Sequence, residues 1–344
     1  MASQAPQSDE TTVPHRGWSL ARPSSDNSQV LAGSKNLVIS YVTLANSRVF
    51  HVEVDQKADG QEVLEKICKL LGIMDEVDYF GLQYFGPKNE LLWVNTRNRL
   101  SKQIPGGQPY KLYFRVKFYV PPHTLLLEET RHQFFINIVQ QLKQGLWDTD
   151  TSLELQAHLI ALMAHAQFGD YNPVTTPCKY ACFWPDRRDE IPPEAVRMAA
   201  SFHRDLEGTT KAHSQYEVLR LVYMDMTSYG THFYEAKDIF DHKILIGVGP
   251  EGICLCSTTG QVIERVTTVT TSTRVVTLNL LEDDASLKSK NYQLATTRLG
   301  NSLYRCIMEL HSFFRCDSVR EDVITQTNRD LRDAFTSLFD HNGE

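Results

Sequence analysis

Two changes of hydrophobic period constrain this chain more than any other feature. As far as Val120, apolar residues mostly alternate in short runs, the spacing of strands. Pro121-Pro122 breaks that pattern, and the spacing becomes three-or-four, as on a buried helix face. From about Gly230 alternation returns, and a last helical stretch, Thr296–Cys316, closes the series. Strands, then helices, then strands with one helix build separate layers rather than one repeating motif. At 344 residues the chain also exceeds a single ordinary core, so two or three domains are expected.

Residues 1–36 are rich in Ser, Pro, Gln and Asp without a sustained apolar period. They read as a disordered tail. Asn36–Thr43 and Arg48–Asp55 read as a hairpin. Asp59-Gly60 then opens a helix whose buried face is Val63, Leu64, Ile67 and Leu71, and Gly72 stops it. Strands follow at Tyr79–Tyr84, Glu90–Val94 and Tyr110–Val120. The helical region predicts four helices: Leu125–Gln144, one opened by a Thr151-x-x-Glu154 capping box, one from Pro193, and Lys211–Thr227. The second strand region predicts Lys243–Gly247, Gly252–Ser257, Val262–Thr271, Arg274–Leu281 and Asn291–Ala295.

In the closing helix Leu299, Leu303, Ile307, Leu310 and Phe314 share one face, with Gly300 beside them for close packing on a sheet. Arg305, Glu309 and Ser312 fall opposite and are expected in solvent. Tyr304, Met308, His311 and Arg315 form a second stripe along one shoulder. Ordinary boundary residues and a half-open binding surface both fit that spacing.

Composition narrows the function classes. Hydrophobic content of 42% with 22% charged residues fits a globular protein, and a net charge of −7 argues against a nucleic-acid partner. No apolar run approaches the roughly 18 residues of a membrane span, and MASQAPQSDE is not a secretory signal. The seven scattered cysteines suit a reducing, cytoplasmic compartment. Gly247–Gly252 fits GxGxxG, but Pro250 and the strand that follows make it a hairpin turn rather than a dinucleotide cradle. Cys178/Cys182 and Cys254/Cys256 lack a second ligand pair, so no metal is expected. No His combines with a nucleophile in a recognisable elbow, so no catalytic site and no cofactor are expected. Arg97, Arg99 and Lys102, with Lys111, Arg115 and Lys117, read as solvated faces. Weak contact with acidic lipids stays an open alternative.

Four strings carry a family resemblance: GQEVLEKICKLLGIMDEVDYFGLQY (60–84), FGDYNP (168–173), SYGTHFYEAKD (228–238) and LYRCIMELHSFFR (303–315). In this order they resemble the FERM domain of band 4.1 and ezrin/radixin/moesin proteins. The resemblance implies an α+β, three-lobed cloverleaf: a ubiquitin-like roll (37–120), a helical bundle (121–229) and a pleckstrin-homology or phosphotyrosine-binding-like sandwich (230–317), then an extension (318–344). RVKFYVPPHTLLLEETRHQFF, KILIGVGPEGI and ELHSFFRCDSV most resemble members that end in a RING finger and act as ubiquitin ligases on lipoprotein-receptor tails. After Cys316 no paired Cys/His spacing supplies a RING. The implied function is therefore an adaptor for cytoplasmic tails of transmembrane receptors, peripheral at the plasma membrane or cell cortex. The alternatives are the substrate-recognition part of a ubiquitin ligase and a membrane–cytoskeleton linker. Myosin regulatory light chain is a further implied partner, and a ubiquitin-conjugating enzyme is one only where a RING is present. By the same resemblance a tail adds as a strand along Val262–Thr271. Ile263, Arg265, Val266, Thr267, Thr268 and Val269 would form that edge, and Tyr304, Met308 and His311 would read the ligand's side chains.

Overall fold

Alternating side chains build the first sheet. β1 (Leu37–Thr43) and β2 (Val49–Asp55) pair antiparallel, with Val38 opposite Val54 and Ser40 opposite Val52. Val38, Val42, Val52 and Val54 therefore face one core. The computed structural model describes residues 37–145, 147, 148, 150–184, 191–257, 260–264, 266–281 and 286–316. Helix α1 (Gly60–Leu71) crosses the sheet. The Asp59 carboxylate accepts the Glu62 N–H at 3.0 Å, and Gly72 at φ 72° ends the helix. Val63, Leu64 and Ile67 are buried beneath it, each worth about 1.5–3 kcal/mol relative to exposure. β3 (Phe80–Phe85), β4 (Leu91–Trp93), the single turn α2 (Leu100–Gln103) and β5 (Tyr110–Val116) complete the lobe. The strand order is β2-β1-β5-β3-β4, with β5 parallel to β1.

The helical lobe comprises α3 (Glu128–Lys143), α4 (Leu153–Phe168), the single turn α5 (Thr176–Lys179), α6 (Pro193–Asp205) and α7 (Lys211–Asp225). Helix α4 is buried nearly all round from Ala157 to Ala166, which is why its sequence shows no single apolar stripe. Its cap is Ser152, whose hydroxyl accepts the Leu155 N–H at 3.1 Å. The expected Thr151–Glu154 box is displaced by one residue, because Thr151 Oγ1 donates to the Asp148 carbonyl instead. A Ser214–His165–Asp170 chain, 2.7 and 3.3 Å between partners, resembles a catalytic set. Ser214 and His165 are fully buried in the bundle, so the chain satisfies buried polar groups rather than meeting a substrate.

The third lobe holds β6 (His232–Lys237), β7 (Lys243–Gly249), β8 (Gly252–Ser257), β9 (Gly260–Glu264), β10 (Val266–Ser272), β11 (Val275–Leu281), β12 (Leu287–Leu294) and α8 (Thr297–Cys316). Their order is β10-β11-β12-β6-β7-β8-β9. β12 and β6 share just two residue pairs, so the sheet nearly divides there into the two layers of a sandwich. The sequence reading omitted β6. The expected single strand Val262–Thr271 is two: β9 pairs with β8, whereas β10 pairs with β11. Gly249 and Gly252 are paired across the turn between β7 and β8, so the GxGxxG string is a hairpin.

Side chains also join the lobes. Glu76 in the first accepts the backbone N–H groups of Leu126 and Leu127 at 2.8 and 3.1 Å. The Tyr229 hydroxyl donates to the Val120 carbonyl at 2.8 Å.

Candidate peptide-binding groove

Helix α8 positions the candidate site. The Thr296 hydroxyl accepts the Leu299 N–H at 3.1 Å and caps its start. Leu303, Ile307 and Leu310 are buried against the sheet as the spacing predicts, while Leu299 and Phe314 are half-buried. Gly300 lets the helix close on the β10–β11 turn: a Cβ there would lie 3.1 Å from the Thr273 carbonyl oxygen. Burial pushes the Cys306 thiol up to about 11, so it stays protonated and serves as core.

The face expected in solvent is buried. Arg305, Glu309 and Ser312 are buried, the first two against the first lobe. Lys117, just past β5, reaches Glu309 at 2.5 Å. Arg305 donates to the Trp93 carbonyl and lies 3.7 Å from the other Glu309 oxygen. Phe313, outside the predicted stripe, stacks on Phe118 with ring centroids 4.3 Å apart. Lys117 is therefore not part of a solvated basic face, and Arg115 is half-buried.

The shoulder lies on the other side. A groove of about 490 Å³ runs between α8 and β10. Tyr304, Met308 and His311 line one wall, with Arg315 beyond them, and Val266, Thr267, Thr268 and Val269 line the other. Seven of the nine predicted residues thus border one groove. Of the other two, Ile263 lies in β9 with its side chain outside the described residues, and Arg265 lies outside them altogether. Ile307, Leu310 and Phe314 supply apolar surface, and the β7–β8 hairpin at Gly249-Pro250 forms an end. That end was missed as a site feature because a turn carries no partner-binding signal in sequence.

Among the described residues β10 pairs only with β11 and ends the sheet. A bulge lies between Val266 and Thr268. It is pinned by Thr267 Oγ1 donating to the Asn279 carbonyl at 3.0 Å and Asn279 Nδ2 donating to Thr268 Oγ1 at 2.6 Å. Among the described residues the lining includes Arg315 and no carboxylate. The surface is apolar at its base, adaptable at Met308 and cationic at one end, next to a strand edge that can accept another strand.

The FERM N-terminal domain family matches residues 42–106. Over the wider chain, Drosophila Merlin's FERM and C-terminal domain complex superposes with a TM-score of 0.65 at 19% identity, covering 83% of this chain and 99% of that one. The chain carries a FERM domain. The C-terminal MyTH4-FERM domain of human Myosin 7b, solved with the harmonin-a PDZ3 domain, has the same fold with a TM-score of 0.59 at 14% identity, covering 86% of this chain and 60% of that one. In sequence the FERM domain is 25% identical to mouse Band 4.1-like protein 4A over 79% of this chain and 40% of the relative. It is 24% identical to bovine Protein 4.1 over 80% and 45%. The chain therefore spans less than half the length of these relatives. No helix among its described residues is long and apolar enough to cross a membrane, and no group of three or more His, Cys, Asp or Glu among them is placed to hold a metal ion.

Proposed function

We propose that this FERM protein is an adaptor that takes the cytoplasmic tail of a transmembrane receptor as an added strand on β10. One observation carries the reading: a sheet edge with a free side borders an apolar groove on α8. The tail's main chain pairs with β10, and its alternate side chains enter the space over Met308 and beside Tyr304. Arg315, with no carboxylate among the described lining residues, favours a tail that is apolar with an acid or a C-terminal carboxylate near Arg315. Such a ligand places the protein at the cytosolic face of the membrane.

The test uses main-chain chemistry. A panel of receptor-tail peptides is titrated against the full chain, and the best binder is remade with N-methyl groups at alternate residues. Methylation on the β10-facing register should weaken binding by at least about tenfold, and on the outward register should leave it unchanged. Equal tolerance of both registers would remove strand addition from the mechanism.

A further inference from the structure

The outer face of the first sheet borders a second cavity, which shares no lining residue with the α8 groove. Across β3 and β5, Gly81 stands opposite Arg115 and Gln83 opposite Tyr113. Gly81 lets the Trp93 ring pack directly on the strand, because a Cβ there would lie 2.9 Å from that ring. Where this face meets α3 and β6, a cavity of about 710 Å³ opens, within the size range of small-molecule sites.

Arg115 is the singular group in it. Its Nη1 donates to the Thr43 and Phe114 carbonyls at 3.1 and 2.7 Å, and its guanidinium lies 5.5 Å from the Tyr113 ring. Among the described residues its Nε and Nη2 have no protein acceptor, and no carboxylate lies within ion-pair distance of it. Burial lowers its pKa, and the groups opposing that are the tyrosines 119 and 113. A half-buried cation of this kind keeps one bidentate edge for an anion. Gln83 and Gln140, also at the cavity wall, likewise make no side-chain hydrogen bond to the described protein. Gln141 next to them is committed, its Nε2 donating to Tyr119 at 3.1 Å.

Charge selects the ligand. Among the described residues Arg115 is the one cation of the lining, Glu90 and Glu235 are its two carboxylates, and His232 is held neutral, its pKa pushed down to about 4 by burial. One positive charge in a lining with two negative ones suits a monoanion better than a phosphate dianion, whose second charge would meet repulsion without a second cation. Phe85 and Tyr113, edge to face at 5.3 Å, offer an apolar surface next to the guanidinium. We propose that this cavity binds a small aromatic monocarboxylate, its two oxygens on the Nε/Nη2 edge of Arg115 and its ring against Phe85 and Tyr113.

The experiment titrates the full chain with 1-naphthoate, 1-naphthalenemethanol and 1-naphthyl phosphate by calorimetry. The carboxylate should bind saturably, and the neutral alcohol and the phosphate at least about tenfold more weakly. Arg115→Lys keeps the charge but loses the fork and should weaken 1-naphthoate by at least about tenfold. Gln140→Glu leaves the bonds of Arg115 to Thr43 and Phe114 in place, adds a competing carboxylate and should abolish binding. Both variants should retain tail-peptide binding at α8, which separates failure of this site from failure of the groove. Absence of saturable 1-naphthoate binding up to about 10 mM, equal affinity for the alcohol, tighter binding of the phosphate, or unchanged binding by Gln140→Glu would each overturn the assignment.

Discussion

Two flanks of α8 meet opposite fates within a few residues of each other. Toward the first lobe, Arg305, Glu309 and Ser312 are buried although two of them carry charge. Toward β10, Met308 is half-buried and His311 exposed along an open groove. The difference lies in what each flank faces. Lys117 brings a counter-charge to Glu309 and the Trp93 carbonyl takes Arg305, so that flank is closed by specific pairing. On the other side the sheet ends at β10 and nothing in the described chain completes it. Burying ions is costly and paired ions tolerate few alternative geometries, so the closed flank fixes where α8 sits. The open flank inherits that position, and it is there that we propose a ligand docks.

Breaking the closed flank has the largest expected effect. Glu309→Ala leaves Lys117 and Arg305 buried without their anion and should destabilise the fold by about 3–5 kcal/mol in urea unfolding. Replacing both partners, Lys117→Met with Glu309→Leu, should recover most of that loss. A single substitution costing under about 1 kcal/mol would mean the flank is solvated. Next comes the sheet-facing side: Leu310→Ala should cost roughly 2–5 kcal/mol as a core cavity. A negligible cost would show that the helix is rotated from the phase described.

These two predictions differ in how legible their residues were. Leu303, Ile307 and Leu310 repeat at helical spacing, and such a stripe has one physical reading, a buried face. Arg305 and Glu309 are spaced as well as any exposed ion pair. Their burial depends on Lys117, 192 positions from Glu309 in sequence, and no local pattern encodes that. Phe313 was missed for the same reason, since its partner Phe118 belongs to another lobe. The run Val262–Thr271 is uniformly rich in strand-forming residues, so propensity could not show that it serves both ends of one sheet. The groove residues were named by family resemblance; helical spacing raised them as a stripe without saying what they face.

Acid offers a third way to compare the flanks. His232 lies beside the closed one, its ring 5.3 Å from Trp93 and its Nε2–H donating to the Lys117 carbonyl at 2.7 Å. Burial pushes its pKa down to about 4, against about 6.5 unfolded. Between those values the unfolded chain binds the proton and the folded chain does not. Stability therefore falls as pH falls from about 6.5 to about 4, by up to about 3 kcal/mol. Burial lowers His203 and His158 in the helical lobe in the same direction, so the diagnostic is the change of slope in His232→Gln. That variant should flatten the profile measured by urea unfolding at several pH values. An unaltered slope would remove His232 as a source of the acid sensitivity.

The smallest effect on the fold should accompany the clearest effect on binding. Met308 projects into the open groove and is half-buried, so Met308→Glu places a charge at the surface of the site without entering the core. The thermal midpoint should stay close to wild type, because a surface substitution of this kind typically changes stability by about 0.5 kcal/mol or less. Affinity for a tail peptide should fall by at least about tenfold, near 1.4 kcal/mol, since the new carboxylate must be desolvated where an apolar side chain is expected to dock. His311→Ala, on the exposed turn of the same stripe, should cost less than Met308→Glu. If Met308→Glu binds the peptide as well as wild type while Glu309→Ala unfolds as predicted, the flanks differ in packing alone, and the open shoulder of α8 is a boundary rather than a reading surface.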